Sequence, residues 1–200
     1  MQFVIYTSKS QHHIISPIIT KLQKQLIKLK QFPMPSNFWM FFITALIPLI
    51  VGFIWYNPKV MGSSWMKVNG FKEADLEGGN MFIILGLSYL FGVFISFGLS
   101  GIVVHQPSVF QVMMPDVMEA GNAAQQQFND FMGTYGDRFR DWKHGAIHGI
   151  LFCVLLVLPL IAINALFERR GWKYIMIHFG YWLISMTLIG AVLCQTLVYS

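Results

Sequence analysis

Charge is scarce in this chain, and cysteine scarcer still. Acidic and basic side chains make up 12% of its 200 residues, and only Cys153 and Cys194 carry a thiol. Four stretches lack any acidic or basic residue other than histidine: residues 38–56, 81–104, 145–167 and 174–199. A helix of that length without a charged face has no side to turn toward water, which excludes an ordinary soluble fold. Both cysteines sit inside apolar stretches, so a disulfide framework, a CxxC redox pair and a zinc knuckle are all unsupported; they read as small apolar fillers. Residues 1–36 contain no acid, and no cleavage site of small residues follows an apolar core there, so they are not a signal peptide. A metalloprotease HExxH is missing, because Gly145 rather than Glu follows His144. Gly78-Gly79-Asn80 only opens an apolar stretch, and no phosphate-cradling loop or dinucleotide fingerprint is present. Ser64 and Ser88 have no neighbouring base that would make either a nucleophile.

What is there is apolar. The chain is 55% hydrophobic, with a mean hydropathy of +0.55. At about 1.5 Å rise per residue, each charge-free stretch crosses a hydrocarbon layer of about 30 Å as a helix. The expected fold is all-α: a polytopic membrane protein with four transmembrane helices in two antiparallel hairpins. The formal charge of +5 does not indicate nucleic acid, because the 14 Lys and Arg are dispersed between apolar runs with no basic face. Anionic lipid headgroups are the simpler partner, so the lipid bilayer is expected and nucleic acid is not.

Two domains are expected, residues 1–36 and 37–200. The first is a basic leader with five lysines. Ser16-Pro17 suits a helix start. Ile15, Ile19, Leu22, Leu26 and Leu29 then share one face while Lys21, Lys24 and Lys28 share another, the pattern of a helix lying on a membrane surface. Between the second and third apolar stretches lies a polar segment, residues 105–143. Val117, Ala120, Gly121, Ala124, Phe128 and Phe131 recur there at helical spacing, predicting an amphipathic interfacial helix over residues 116–132. Gly133-Thr134-Tyr135-Gly136 should end it, and a new helix is expected from Asp137 straight into the third span. Pro48 and Pro159 should each interrupt their span, and the similar text around them suggests a repeated hairpin. Positive-inside counting gives eight to six in favour of a cytoplasmic N-terminus with the leader present, and three to six against it if translation starts at Met34.

The chemistry-bearing residues concentrate at the start of the third span. Asp137, Asp141, His144 and His148 are four, three and four apart and would share one helix face. Two imidazoles and a carboxylate on one stripe can ligate a divalent metal, with Asp141, His144 and His148 as the ligand set. The plainer alternative is hydrogen bonding across the helix interface. Asn164, Glu168 and His178 add to a candidate polar site, since polar groups in spans usually face the bundle interior. Gln195 lies near the end of the fourth span. No cofactor other than such a metal is expected.

The run from Trp55 to Lys67, WYNPKVMGSSWMK, resembles the signature of an uncharacterised bacterial membrane-protein family, domain of unknown function 1761, whose pattern is WYxPxxxGxxWM after a first span. The HGxxHG text at residues 144–149 and the exit from the third span at residues 164–169 are similar to it too. The resemblance covers about residues 34–199. It implies a small four-span bundle in the bacterial cytoplasmic membrane and favours Met34 as the start; it implies no activity, substrate or catalytic residue. Trp55, Tyr56 and Trp65 read as an aromatic anchor at one interface, with Pro58 and Gly62 shaping the turn between them. Three functions stay open: foremost a non-enzymatic, homo-oligomeric bundle that binds or moves a small solute or ion; then a membrane-embedded metal-dependent enzyme using His144 and His148; and a structural partner of another membrane protein.

Overall fold

The computed structural model describes residues 34–119 and 121–199. The surface helix expected in the leader lies outside them. Among the described residues every regular element is helical and no strand occurs. Three helices are long and apolar enough to cross a membrane: Met81–Val103, Trp142–Phe167 and Trp172–Thr196.

The first apolar stretch is different. It forms α1 (Met40–Thr44) and α2 (Leu46–Trp55), then breaks and bends by 57° into a π-helical turn (Pro58–Gly62) and α3 (Ser63–Asn69). The break has a local cause. Pro58 has no N–H to donate and pushes Asn57 into extended backbone, φ −62° and ψ 137°. Asn57 then restarts the chain by accepting from Lys59 N at 3.0 Å. Gly62 is required there: any Cβ would lie 2.8 Å from the Asn57 carbonyl carbon.

The segment before the bend runs antiparallel along the last long helix. At one end the Asn37 side chain bonds Thr196 O at 2.7 Å and Val198 N at 2.9 Å. In the middle Tyr181 donates to Pro48 O at 3.1 Å, and at the far end Trp55 Nε1 donates to Ile177 O at 3.0 Å.

After the bend come α4 (Met81–Val103), capped by the Asn80 side chain, α5 (Gln106–Val112) and α6 (Ala123–Tyr135). Then α7 (Trp142–Phe152), a π-helical turn (Cys153–Val157) and α8 (Leu158–Phe167) make one long rod. The helix α9 (Trp172–Thr196) returns beside it. Pro159 falls just after the π turn and Pro48 just after the break at Ala45, so each proline marks an interruption of regular α geometry, as expected.

Two expectations for the polar segment change. The amphipathic helix starts at Ala123, not Asp116. Residues 116–118 form a separate 3₁₀ turn, Gly121 adopts φ +77°, and the Asn122 side chain caps the helix through Gln125 N at 2.8 Å. The helix also continues through Gly133 to Tyr135. No helix starts at Asp137: Phe139 has φ +60°, which interrupts helical backbone, so α7 begins at Trp142.

The core is formed by α4 and α9 with help from the π-helical turn after α7: Leu99, Val103, Ile189, Leu193, Cys153 and Cys194, with Leu197 just past α9, are essentially fully buried. Both cysteines are free thiols within it, in line with their reading as fillers. The outer faces are apolar as well. Phe53, Phe82 and Phe167 are all more than four-fifths exposed (86, 92 and 88%), a surface suited to hydrocarbon and not to water.

A candidate metal centre

Glycine sets where α7 lies. On α7, Gly145 and Gly149 are pressed against the backbone of α9. A Cβ on Gly145 would lie 2.7 Å from the Gly190 carbonyl carbon, and one on Gly149 would lie 2.8 Å from that of Met186. Such contact needs residues without side chains. Each glycine directly follows a histidine, so docking the glycines turns His144 and His148 about 100° round the helix onto a neighbouring face. Asp141 starts α7 by accepting from Lys143 N at 2.8 Å and His144 N at 3.0 Å, while Gln195 of α9 accepts from Trp142 N at 3.0 Å.

A third histidine meets this pair. The helix α4 ends at Val103, Val104 is extended, and His105 directly precedes α5, with Pro107 supplying the fixed φ that suits a first helical turn. His105 Nε2 and His144 Nε2 lie 3.0 Å apart. The His144 and His148 rings are 4.4 Å apart by their centroids, and His105 is 5.1 Å from each. One ligand atom from each of the three lies within 4.8 Å of the others. Zinc–imidazole bonds are about 2.0–2.1 Å long, so two nitrogens on one ion sit roughly 3.0–3.4 Å apart. The 3.0 Å pair suits two ligands of a shared ion as well as it suits a shared proton. Burial, and then the neighbouring His144, hold the His105 imidazole below its ordinary pKa of 6.5. That favours the neutral form a metal requires. Phe139 stacks on His144 at 5.2 Å and 19° between planes.

The sequence-predicted residues divide. His144 and His148 come together, and His105 joins them although the sequence spacing did not single it out. Its one signal was its position, immediately past the second apolar stretch. Asp141 lies outside the three-residue group, with Oδ1 committed to the helix cap. Asp137 sits in the turn before the helix and not on its stripe. Asn164, Glu168 and His178 do not join the cluster. Asn164 is 16 residues beyond His148, about 24 Å along the same rod, and is exposed. Glu168 pairs with Arg170 at 3.7 Å on the surface.

His178 belongs to a second cluster at the other end of α9. Its Nδ1 is 3.3 Å from Tyr56 Oη, and Tyr174 packs at 4.4 Å between ring centroids. Tyr56 also touches Trp65 edge-on at 5.5 Å and Tyr181 at 5.3 Å. Trp55, Tyr56, Pro58, Gly62 and Trp65 thus form one turn that folds Trp65 back onto Tyr56. Trp55 lies against Gly180, where a Cβ would come within 2.7 Å of its indole.

The chain matches the family described as Protein of unknown function (DUF1761) over residues 39–194. It belongs to that family. No curated protein matches it, and no solved structure does.

Proposed function

We propose that this DUF1761 protein binds a divalent metal ion, of the zinc type, through His105, His144 and His148, and presents it at the edge of a membrane-embedded bundle. The single observation that carries this is the convergence of three imidazoles from two chain segments within 4.8 Å. Three nitrogen ligands with a position left for water or substrate is the arrangement of catalytic rather than structural zinc. The reading therefore favours a metal-dependent membrane enzyme in which the ion acts as a Lewis acid on an oxygen-bearing substrate. It replaces Asp141 by His105 in the ligand set. Passage of a solute through the bundle ranks lower, because the backbone contact of Gly145 and Gly149 with α9 leaves no room between those two spans.

The same reading takes the bent first segment as a fourth crossing, which completes two antiparallel hairpins in a four-helix bundle. Its contacts reach from Thr196 to Ile177 on α9, 19 residues or about 28 Å, close to a hydrocarbon thickness. The bilayer is the surrounding partner, in a bacterial cytoplasmic membrane, and apolar outer faces leave surface for a homo-oligomer.

The test is metal content. Protein purified in a mild detergent and dialysed against zinc should retain about one ion per chain, measured by mass spectrometry. His105→Ala, His144→Ala and His148→Ala should each lower the affinity at least tenfold while helical content stays unchanged. Wild-type protein that holds no ion under these conditions would refute the proposal.

A further inference from the structure

Two non-glycine residues adopt left-handed backbone among the described residues, Phe139 at φ +60° and Arg169 at φ +56°. Such backbone brings Cβ close to a carbonyl oxygen and is disfavoured for any residue with a side chain. Arg169 has an ordinary reason for it. It follows α8, with Arg169 N bonded to Leu166 O at 3.1 Å and Arg170 N to Ala165 O at 2.8 Å, the pattern that closes a helix C-terminus. Phe139 has no such reason, because α6 ends earlier, at Tyr135. Nor does burial compensate it, since the residue is 59% exposed. The turn is instead clamped from outside. Gln106 Nε2 donates to Gly136 O, Arg140 Nη2 donates to Leu197 O, and Cys194 Sγ lies 3.3 Å from Phe139 O. Strained backbone persists where its surroundings over-determine it, and it gathers at functional sites.

What the conformation achieves is a contact. The Phe139 ring lies flat on the His144 imidazole, 5.2 Å between centroids and 19° between planes. The three imidazoles meet one another edge-on instead, at 61° to 82°. A histidine ring turns over a broad range about its last torsion, so its plane must be held from outside. In metal sites the usual holder is a hydrogen bond to the nitrogen that does not face the ion. Among the described residues no such bond reaches His144 Nδ1; Nε2 alone is engaged, with His105. We infer that Phe139, on the metal reading above, is the positioning residue of His144: its ring fixes the imidazole plane so that Nε2 faces the shared ion. The stack gains when the ion binds, because a coordinated imidazole is more positive and an aromatic face attracts positive charge. Phe139 does not itself touch the metal.

The test uses full-length protein in phosphatidylcholine nanodiscs, with three readouts: zinc affinity by competition with a chelator, the visible spectrum of bound cobalt(II), and Tm without metal. Phe139→Leu keeps the apolar volume and the backbone burden but removes the flat ring. It should weaken zinc about tenfold and alter the cobalt spectrum, with Tm unchanged. Phe139→Gly removes the ring and relieves the backbone. It should weaken zinc at least as much while Tm holds or rises. Phe139→Tyr keeps the ring and should restore both wild-type affinity and the wild-type spectrum. A leucine variant with wild-type affinity and spectrum would overturn the inference, as would a tyrosine variant that fails to restore them. A Tm that falls in step with zinc affinity would make Phe139 a structural residue only and overturn it too. Each of those results leaves the metal centre standing. Wild-type protein that takes up no cobalt would refute the metal reading itself, before any variant is made.

Discussion

Adding one methyl group at Gly149 tests the packing on which the proposed metal centre depends. In Gly149→Ala the new Cβ would lie 2.8 Å from the Met186 carbonyl carbon and 3.0 Å from Thr187 Cα. Carbon atoms in comfortable contact sit about 3.5–4.0 Å apart. The helices α7 and α9 must therefore separate locally by roughly 0.7–1 Å. Neither neighbour can rotate away, because both are backbone atoms. Overpacking costs about 1–3 kcal/mol, and a rigid contact belongs at the upper end. Alanine returns up to about 1 kcal/mol through its better helix propensity. The net expectation is about 2 kcal/mol of destabilisation, or roughly 4–8 °C in Tm for a chain of this size.

The metal centre should suffer with it. His144 and His148 ride on the displaced helix, whereas His105 belongs to the segment after α4 and does not. Metal–ligand distances tolerate only about 0.2 Å, so a shift of this size should lower zinc affinity about tenfold or more. Thermal unfolding followed by circular dichroism in a single detergent measures the first effect, and zinc titration the second. Gly133→Ala is the control. Gly133 is also helical, but a Cβ there meets nothing within 4 Å, so stability should hold or rise. A Gly149→Ala protein with wild-type Tm and zinc affinity would refute the idea that backbone contact sets the position of α7.

Two further outcomes follow from the same geometry. Asp141→Ala should cost about 1 kcal/mol through the lost N-cap, and Asp141→Asn much less, while both keep one zinc per chain; loss of zinc from the Asn variant would restore Asp141 as a ligand. Acidification should release the metal, because imidazole ligates only when neutral. The pKa of His105 is lowered, so its neutral form persists below the ordinary 6.5, and zinc should remain bound at pH 7 and leave only on further acidification. Equilibrium dialysis across pH measures this, and a half-release above pH 7 would contradict it.

Much of the architecture was legible along the chain. The absence of charge over residues 81–104, 145–167 and 174–199 predicted helices that the structure bounds at Met81–Val103, Trp142–Phe167 and Trp172–Thr196. The signal was reliable because a backbone in hydrocarbon must satisfy its own hydrogen bonds, so a long apolar run has few alternatives to a helix. The turn at Pro58 and Gly62 was visible for the same kind of local reason. The polar segment was less legible: the helix expected from Asp116 starts at Ala123, because Gly121 at positive φ breaks helical backbone before it.

The candidate site was half legible. Periodicity within one helix placed His144 and His148 on a common stripe, because residues four apart share a face whatever surrounds them. The same periodicity put Asp141 on that stripe, but it does not record that the helix starts one residue later and uses that carboxylate as its cap. His105 is 39 residues from His144, on another element, and no local pattern connects them. Only the docking of Gly145 and Gly149 on the last helix, with the sharp turn after Val103, brings that third imidazole to the other two. Local order follows from short-range sterics and solvent, both written in neighbouring residues; a site shared between segments follows from how finished helices pack, which no single stretch of sequence contains.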